Sequence, residues 1–85
     1  MITVRYFAAL REHLGAQEPV NLADVPAPAT VGGLRDWLCE RSPQHAKAFE
    51  AVRGVRTACD QLMCDDDEPL ADGCEVAFFP PVTGG

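Results

Sequence analysis

The stretch Ile2-Thr3-Val4-Arg5-Tyr6-Phe7-Ala8 decides the fold, because two kinds of side chain alternate along it. The apolar and aromatic residues at positions 2, 4 and 6 share one face, and Thr3, Arg5 and Phe7 share the other. A period of two residues is typical of a half-buried strand. The segment 9–14 that follows predicts a short helix, which Gly15 ends. The chain is therefore expected to open with a strand and a helix.

Outward from this stretch, helices are predicted in the middle of the chain and strands towards its end. Apolar residues recur at helical spacing after Thr30, a favourable N-cap, and predict a helix over Val31–Arg41. Ser42, directly before a proline, predicts the start of a second helix over 43–50. Alternation and turn residues predict further strands at 19–22, 56–60, 62–64 and 74–79. We expect one α+β domain with helices on one face of a mixed sheet.

The charge of the chain is divided unevenly along its length. The 85 residues carry a formal net charge of −6, from seven Lys and Arg and thirteen Asp and Glu. All seven bases and six of the acids lie in residues 1–56, a net +1, whereas residues 57–85 hold seven acids and no base, a net −7. A net acidic chain without a basic run lacks the electrostatic character of a nucleic-acid-binding protein. Nucleic acid is therefore not an expected partner.

The sequence has neither a membrane-spanning segment nor a metal-binding cysteine pattern. Its apolar runs are far shorter than a bilayer span, and its first residues lack the charged region of a signal peptide. We therefore expect a cytoplasmic protein that does not enter a membrane. No two cysteines have C-x-x-C spacing. Cys59 and Cys64 stand five apart, but the third ligand of a plant-type iron–sulfur loop is missing, and no histidine lies near them for a zinc site, so no metal is expected. The cysteines are predicted to be reduced structural thiols: Cys39, Cys59, Cys64 and Cys74.

Side chains with catalytic chemistry are scarce in this sequence. It contains one serine, one lysine, one tyrosine and two histidines. Ser42 is assigned to a helix cap, and His13 and His45 are expected at the surface of short helices. No phosphate-binding glycine loop, nucleophile elbow or paired-carboxylate motif is present. The side chains alone therefore indicate no reaction.

The chain ends in a distinctive segment, Phe78-Phe79-Pro80-Pro81-Val82-Thr83-Gly84-Gly85. Prolines cannot continue a sheet ladder and favour an extended exit from the predicted last strand. Gly84 and Gly85 lack side chains, so their backbone fits a channel too narrow for other residues. We expect a domain over 1–80 and an extended, flexible tail over 81–85 whose carboxylate a partner enzyme reaches. A frayed end without function is the alternative that Gly-Gly alone leaves open.

Three large apolar side chains occupy positions that the predicted strands otherwise give to polar residues. They are Phe7, Met63 and Phe79. If their strands are neighbours, the three form an exposed apolar patch near the tail, and patches of this kind mark interaction sites. The alternative is that loops or the end of the chain cover them.

Three segments together resemble the small subunit of molybdopterin synthase. They are Val4-Arg-Tyr-Phe-Ala-Ala-Leu-Arg-Glu-His-Leu-Gly15, Pro69-Leu-Ala-Asp-Gly-Cys-Glu-Val-Ala-Phe-Phe79 and Pro80-Pro-Val-Thr-Gly-Gly85. The resemblance covers essentially the whole chain. Because that family consists of ubiquitin-like sulfur carriers, the resemblance implies a β-grasp fold. The segment Cys59-Asp60-Gln61 and the acidic turn 65–68 depart from the usual family pattern.

The resemblance also implies a function. In the family, a ubiquitin-activating-type enzyme uses ATP to adenylate the terminal glycine, here Gly85, and a persulfide sulfur then replaces AMP to leave a thiocarboxylate. The tail carries this sulfur into the large subunit, which transfers it to cyclic pyranopterin monophosphate. The chain is then the sulfur-donating subunit of a heterotetrameric synthase, without a bound cofactor and not catalytic alone. The implied tail residues are Pro81, Val82, Thr83 and Gly84, and the implied docking residues are Phe7, Met63 and Phe79.

Other functions remain open on the sequence alone. A sulfur carrier for thiamine or cysteine synthesis shares the Gly-Gly end but much less of the Phe-Phe-Pro-Pro-Val-Thr segment. A ubiquitin-like modifier joined through Gly85 to lysines of other proteins is also compatible, and Lys47, as the one lysine here, argues only against chains of the protein on itself. A plain binding module with an inert tail is a further alternative. The acidic turn 65–68 is either part of a negative docking region or a solvated turn.

Overall fold

The computed structural model describes residues 1–81, which form a five-stranded sheet and three α-helices. The strands are β1 (Ile2–Tyr6), β2 (Gln17–Val20), β3 (Arg56–Cys59), β4 (Leu62–Cys64) and β5 (Glu75–Phe79). The helices are α1 (Ala8–Leu14), α2 (Val31–Arg41) and α3 (Pro43–Ala51), with a 3-10 turn at Leu22–Asp24. Among these residues, no helix is long and apolar enough to cross a bilayer. The expected α+β architecture is confirmed.

The sheet has the strand order β2-β1-β5-β3-β4 and mixes both kinds of pairing. At its centre, β1 runs parallel to β5 with Val4 opposite Val76, while the other pairs are antiparallel. The first and last strands of the chain therefore lie side by side. The ladder between β3 and β5 ends with Arg56 opposite Phe79. The end of β5 thus lies beside the start of β3.

The helices pack on one face of the sheet and close a single core. Alternate side chains of β1 and β5 point into it and meet leucines from α1 and α2. The ring of Phe49, from α3, lies edge-on to that of Phe78, with 5.1 Å between ring centroids. Burial of a side chain of this size stabilises the fold by about 1.5–3 kcal/mol. The fully buried members are Ile2, Val4, Leu10, Val31, Leu34, Leu38, Ala48, Val76 and Phe78.

Capping side chains begin the two longer helices where the sequence predicts. Oγ1 of Thr30 accepts a hydrogen bond from the N–H of Gly33 at 3.1 Å at the start of α2. Oγ of Ser42 accepts one from the N–H of His45 at 3.4 Å at the start of α3. Gly15 follows α1 with φ of +91°, a conformation that favours glycine and ends the helix.

The first turn of α2 is covered by the acidic turn 65–68. The N–H groups of Val31 and Gly32 donate to the carbonyl oxygens of Glu68 and Asp66, both at 3.0 Å. A Cβ atom at position 32 would lie 2.9 Å from Cβ of Asp66, so this close approach requires a glycine. Gly32, which weakens a helix by about 1 kcal/mol, is explained by this contact.

The second strand begins and ends two residues earlier than predicted. Antiparallel pairing with β1 places Gln17 opposite Arg5 and Val20 opposite Ile2. The predicted segment 19–22 followed the apolar residues of this region, whereas the register with β1 selected Gln17–Val20. A partner strand, which the local pattern does not contain, decided these boundaries.

A tight hairpin separates β3 from β4. Asp60 and Gln61 have φ of +49° and +70°, the left-handed conformation of both central residues in a two-residue hairpin turn. The strand predicted over 56–60 therefore ends at Cys59. Leu62 lies directly after the turn on an edge strand and is 73% exposed, although its position pairs with Cys59 on the helix side.

The expectation that both histidines are exposed is wrong for His45. Its side chain is buried, with Nε2 2.7 Å from Oε2 of Glu18 and 3.2 Å from the hydroxyl of Tyr6. His45 stands three residues before the buried Ala48, so both belong to the stripe of α3 that faces the core. That spacing was the signal for its burial. His13 is exposed, as expected.

Candidate functional site

A shallow groove lies on the sheet face that points away from the helices. Phe7 and Phe79 form its aromatic part, and it encloses about 380 Å³. Phe7 stands between β1 and α1, and its N–H donates to the carbonyl of Phe78 at 3.2 Å. This bond extends the β1–β5 pairing and holds Phe7 beside Phe79. The other residues of the groove are Arg5, Gln61, Glu75 and Ala77.

The rim of this groove carries a charged pair. The guanidinium carbon of Arg5 lies 5.3 Å from the centroid of the Phe7 ring, and NH1 lies 3.7 Å from Oε1 of Glu75. Both charged groups are partly exposed, so the ion pair contributes only about 0–1 kcal/mol to stability. Its main effect is to place one positive and one negative charge at the edge of an apolar surface.

Met63 lies on the same face of the sheet as the groove. Ala58 of β3 stands opposite both Met63 and Ala77, so these three side chains form one row across the sheet. Met63 is 55% exposed and borders a second depression, with Arg56 and the acidic residues 65–67. The sheet therefore brings all three predicted docking residues onto one face: Phe7 and Phe79 line the groove, and Met63 borders the second depression. We call this surface the open face: Phe7, Ala58, Met63, Ala77 and Phe79.

All three aspartates of the acidic turn 65–68 border the depression that contains Met63, and Asp66 is also held against α2. Oδ2 of Asp66 accepts a hydrogen bond from NH2 of Arg35 at 2.5 Å, and this bond raises the pKa of Arg35. Asp65 and Asp67 are exposed and border the depression that contains Met63. The turn is therefore fixed in place while part of its negative charge adjoins an apolar surface.

The tail leaves the sheet at the edge of the open face. Phe79 is the last residue of β5, Pro80 is half-buried and Pro81 is exposed. The pyrrolidine ring of Pro81 lies against Gly54, in the turn that joins α3 to β3. The structure thus shows where the tail begins. The remaining predicted tail residues lie outside the described residues: Val82, Thr83, Gly84 and Gly85.

Burial disfavours the thiolate form of three cysteines, Cys39, Cys59 and Cys64. All four are unpaired. Burial, together with the neighbouring Cys74, raises the pKa of Cys59 to about 12, and burial also raises the pKa values of Cys39 and Cys64. A protonated thiol is a poor nucleophile and metal ligand. Within residues 1–81, no three His, Cys, Asp or Glu side chains are grouped to hold a metal ion.

A polar cluster on the helix side of the sheet was not predicted from the sequence. Oε2 of Glu18 accepts a hydrogen bond from the Tyr6 hydroxyl at 2.8 Å and lies 2.7 Å from Nε2 of His45, while Oε1 accepts one from Arg41 at 2.7 Å. Burial opposes the charge of Glu18, but the hydrogen bonds outweigh it and lower its pKa. Burial and the bond to Glu18 raise the pKa of Tyr6. The cluster joins β1, β2, α2 and α3 and is structural.

Comparison with known sequences gives full-length matches. A model of the ThiS family matches residues 4–85. A molybdopterin synthase sulfur carrier subunit from Escherichia coli (strain K12) is 44% identical over 85 residues, which are the whole of both chains. A protein of the same description from Haemophilus influenzae is 34% identical over 85 residues, again the whole of both chains.

Solved structures share the fold along nearly the whole chain. Subunit 1 of a molybdopterin converting factor from Pyrococcus furiosus has a TM-score of 0.69 and 34% identity, over 95% of this chain and 97% of that one. A complex of subunits 1 and 2 of the molybdopterin-converting factor from Helicobacter pylori has a TM-score of 0.65 and 25% identity, over 99% of this chain and 97% of that one. Small archaeal modifier protein 1 from Haloferax volcanii has a TM-score of 0.68 and 25% identity, over 95% of this chain and 97% of that one. The expected ubiquitin-like β-grasp fold is confirmed.

Proposed function

Since the chain belongs to the ThiS family, we propose that it is the sulfur carrier of a molybdopterin synthase and acts in molybdenum cofactor biosynthesis. The observation that carries this proposal is the origin of the tail, because β5 runs from the open face directly into Pro80 and Pro81. A partner that covers the open face therefore lies beside the tail. Docking and delivery of Gly85 then occur in a single complex.

The relatives favour the molybdopterin pathway over the other sulfur-carrier pathways. Both full-length relatives described above are molybdopterin synthase sulfur carrier subunits, and the family match continues to residue 85. The alignment therefore includes the open face and the Pro-Pro-Val-Thr-Gly-Gly end. A carrier for thiamine or cysteine synthesis is the less favoured assignment.

The first chemical step of the proposal activates the carboxylate of Gly85. A carboxylate is a poor electrophile, so an adenylating enzyme of the ubiquitin-activating type joins it to the AMP part of ATP and releases pyrophosphate. The terminal sulfur of an enzyme persulfide attacks the acyl carbon, and AMP leaves. A thiol then cleaves the resulting acyl disulfide, which leaves a thiocarboxylate at Gly85. ATP is thus a substrate of the activating enzyme, and the carrier binds no cofactor.

The second step transfers the sulfur in the large subunit. The thiocarboxylate sulfur of Gly85 attacks a side-chain carbon of cyclic pyranopterin monophosphate and displaces the oxygen substituent of that carbon. Water then hydrolyses the acyl–sulfur bond, which leaves the sulfur on the pterin and returns the carboxylate of Gly85. Two such transfers supply the two sulfurs of the dithiolene. Residues Pro81, Val82, Thr83 and Gly84 carry the reacting group, and the large subunit supplies the acid–base side chains. This division of labour is supported by the scarcity of catalytic side chains in the carrier. We place the reaction in the cytoplasm.

The open face is the proposed binding site for the large subunit. Phe7 and Met63 are exposed there, and Phe79 lines the groove between them and the tail. Large aromatic and methionine side chains with a polar rim are the usual composition of a protein interface. The complex of subunits 1 and 2 from Helicobacter pylori supports an assembly of this kind.

Mass spectrometry of the C terminus tests the proposed function. The chain is purified from cells that also contain the activating enzyme, and the intact protein and its C-terminal peptide are measured. We expect a gain equal to the mass difference between sulfur and oxygen, confined to the peptide that contains Gly85. A chain without Gly85 serves as the control and should show no gain. An unmodified carboxylate in the complete chain would contradict the proposal.

A second candidate function is protein modification through Gly85. The observation in its favour is the TM-score of 0.68 to the small archaeal modifier protein 1 from Haloferax volcanii. The same cells, examined by electrophoresis, distinguish the two functions. A modifier produces slower-migrating conjugates that disappear when Gly85 is removed, whereas a carrier restricted to sulfur transfer produces none.

A further inference from the structure

The turn between α3 and β3 contains a glycine in direct contact with the start of the tail. A Cβ atom placed on Gly54 would lie 3.3 Å from Cγ, 3.7 Å from Cδ and 3.9 Å from Cβ of Pro81. The pyrrolidine ring therefore covers the bare Cα atom of Gly54. Gly54 also has φ of +68°, a conformation that side chains disfavour. Both features favour a glycine at this position.

This contact lies on the continuation of the β3–β5 ladder. The last pair of that ladder is Arg56 with Phe79, so the antiparallel register places Gly54 opposite Pro81. Neither proline after Phe79 has an N–H group, so the ladder cannot hold this part of the chain by their backbone donors. Packing of the Pro81 ring on Gly54 takes over that role at the point where the tail begins.

We propose that Gly54 is a positioning residue for sulfur transfer, which sets the direction in which the tail leaves the domain by receiving the ring of Pro81. This inference rests on the proposed function of the tail. Consecutive prolines restrict the backbone, so the contact with Gly54 sets the direction of the chain at Pro81, the last described residue. Gly85 lies four residues further on, at most about 14 Å from Pro81, so the direction of the chain at Pro81 limits the region that the reacting atom can reach.

The test compares two glycine-to-alanine substitutions that both add a side chain at positive φ, only one of which lies against Pro81. Gly54→Ala adds a side chain at positive φ against Pro81. Gly73→Ala adds one at a similar φ of +86° with no atom within 4 Å, so it reproduces the backbone strain alone. Thiocarboxylated chains are prepared chemically by thiolysis of a C-terminal thioester, which removes any dependence on the activating enzyme. Single-turnover sulfur transfer is then measured at saturating large subunit.

We expect Gly54→Ala to slow sulfur transfer about tenfold, because a misplaced reacting group reacts much more slowly. Its Kd for the large subunit should stay within about twofold of the unsubstituted protein, since the open face is unchanged. Gly73→Ala should match it in thermal stability and keep the full transfer rate. Equal transfer rates in the two variants, or a loss of Gly54→Ala activity explained by a higher Kd, would overturn the proposal.

The substitution Pro81→Ala tests whether Gly54 acts through the proline ring. With the ring removed, Gly54→Ala should cause no further loss of transfer rate beyond that of Gly73→Ala in the same background. Additive losses would show that Gly54 acts in another way. Pro81 is exposed, so Pro81→Ala should fold, and by itself it should slow sulfur transfer at an unchanged Kd. A full transfer rate in Pro81→Ala would overturn the proposal even where Gly54→Ala does not fold.

Nuclear Overhauser effects between the α protons of Gly54 and the ring protons of Pro81 test the contact without any reaction. We expect them in the unsubstituted protein and not in Gly54→Ala, and their absence from the unsubstituted protein would overturn the proposal. Failure of the proposed function is distinguishable, because the unsubstituted thiocarboxylated chain would then transfer no sulfur at all.

Discussion

At the scale of single residues, two adjacent phenylalanines have opposite environments. Phe78 is fully buried, and its ring lies 6.2 Å from that of Tyr6 and 5.1 Å from that of Phe49, measured between centroids. Phe79 lines the groove of the open face. Successive side chains of a strand point to opposite faces, so one phenylalanine belongs to the core and the next is available to a partner.

Substitution of these two residues should separate stability from binding. We expect Phe79→Ala to raise the Kd for the large subunit at least about tenfold, as for an aromatic residue central to an interface. Its free energy of unfolding should fall by about 1 kcal/mol or less, because the ring already contacts water. The matched variant Phe78→Ala should lose about 3–5 kcal/mol. Denaturant unfolding and calorimetric titration measure the two quantities.

The result that contradicts this assignment is equally clear. A loss of stability in Phe79→Ala as large as that in Phe78→Ala would place Phe79 in the core. An unchanged Kd in a folded Phe79→Ala protein would remove it from the proposed docking site.

At the scale of secondary-structure elements, the cluster around Glu18 links elements that are far apart in sequence. Glu18 lies on β2, Tyr6 on β1, Arg41 at the end of α2 and His45 in the first turn of α3. Its hydrogen bonds join the edge of the sheet to the two helices that cover it. A change of charge in this cluster therefore affects how the helices are held on the sheet.

The lowered pKa of Glu18 predicts a specific loss of stability in acid. The unfolded chain takes up this proton at a higher pH than the folded one, so ionised Glu18 stabilises the fold fully above the ordinary glutamate pKa of about 4.3. This contribution is lost as the pH falls through the folded pKa. Glu18→Gln should therefore be less stable near neutral pH and show a shallower loss between roughly pH 5 and pH 3.

Thermal unfolding across this range measures the effect. Glu12→Gln, which changes an exposed glutamate of α1, is the matched control and should retain the acid-dependent loss. Identical pH profiles for Glu18→Gln and the unsubstituted protein would show that the cluster does not favour the ionised carboxylate.

At the scale of the whole molecule, the fold redistributes the uneven charge of the sequence. Some acids of the last third acquire positive partners from the first part of the chain. Asp72 pairs with the N-terminal ammonium, which lowers its pKa, and Glu75 pairs with Arg5. Asp65 and Asp67 stay exposed and border the depression that contains Met63. The residual negative charge thus adjoins the proposed docking site.

A negative region beside a docking site should attract a basic partner surface. We expect the association rate constant with the large subunit to fall as the salt concentration rises from roughly 0.05 M to roughly 0.5 M, since exposed charges are screened. The double substitution Asp65→Asn with Asp67→Asn should make this fall shallower. Stopped-flow measurements give the association rate constant at each salt concentration, and hence the slope of its salt dependence.

A control with the same change in net charge separates local from global effects. Glu12→Gln with Asp24→Asn removes two exposed acids outside the open face. Equal slopes for the two double variants would mean that net charge alone acts, and a flat salt response of the unsubstituted protein would mean that the acidic turn is a solvated turn.

Much of the fold was predictable because local sequence patterns indicate most of its helices and strands. The alternation at Ile2–Tyr6, the caps Thr30 and Ser42, and the range Val31–Arg41 all match the structure. The hairpin turn at Asp60 and Gln61 was not recognised, because the pair Asp-Gln is not one of the common pairs of such turns, which are Asn-Gly and Asp-Gly. Strand limits that depend on a neighbour were less accurate than helix limits.

The sequence by itself determined the fold class, the phase of Phe7, Met63 and Phe79, and the tail with its terminal glycines, since periodicity and composition are properties of consecutive residues. Only the tertiary structure decided which distant residues meet. It brought His45 to Glu18, Asp66 to Gly32 and Pro81 to Gly54. The physical reason is that these contacts follow from strand register and helix docking. Both bring together distant segments, and the sequence of one segment does not show which other segment it contacts.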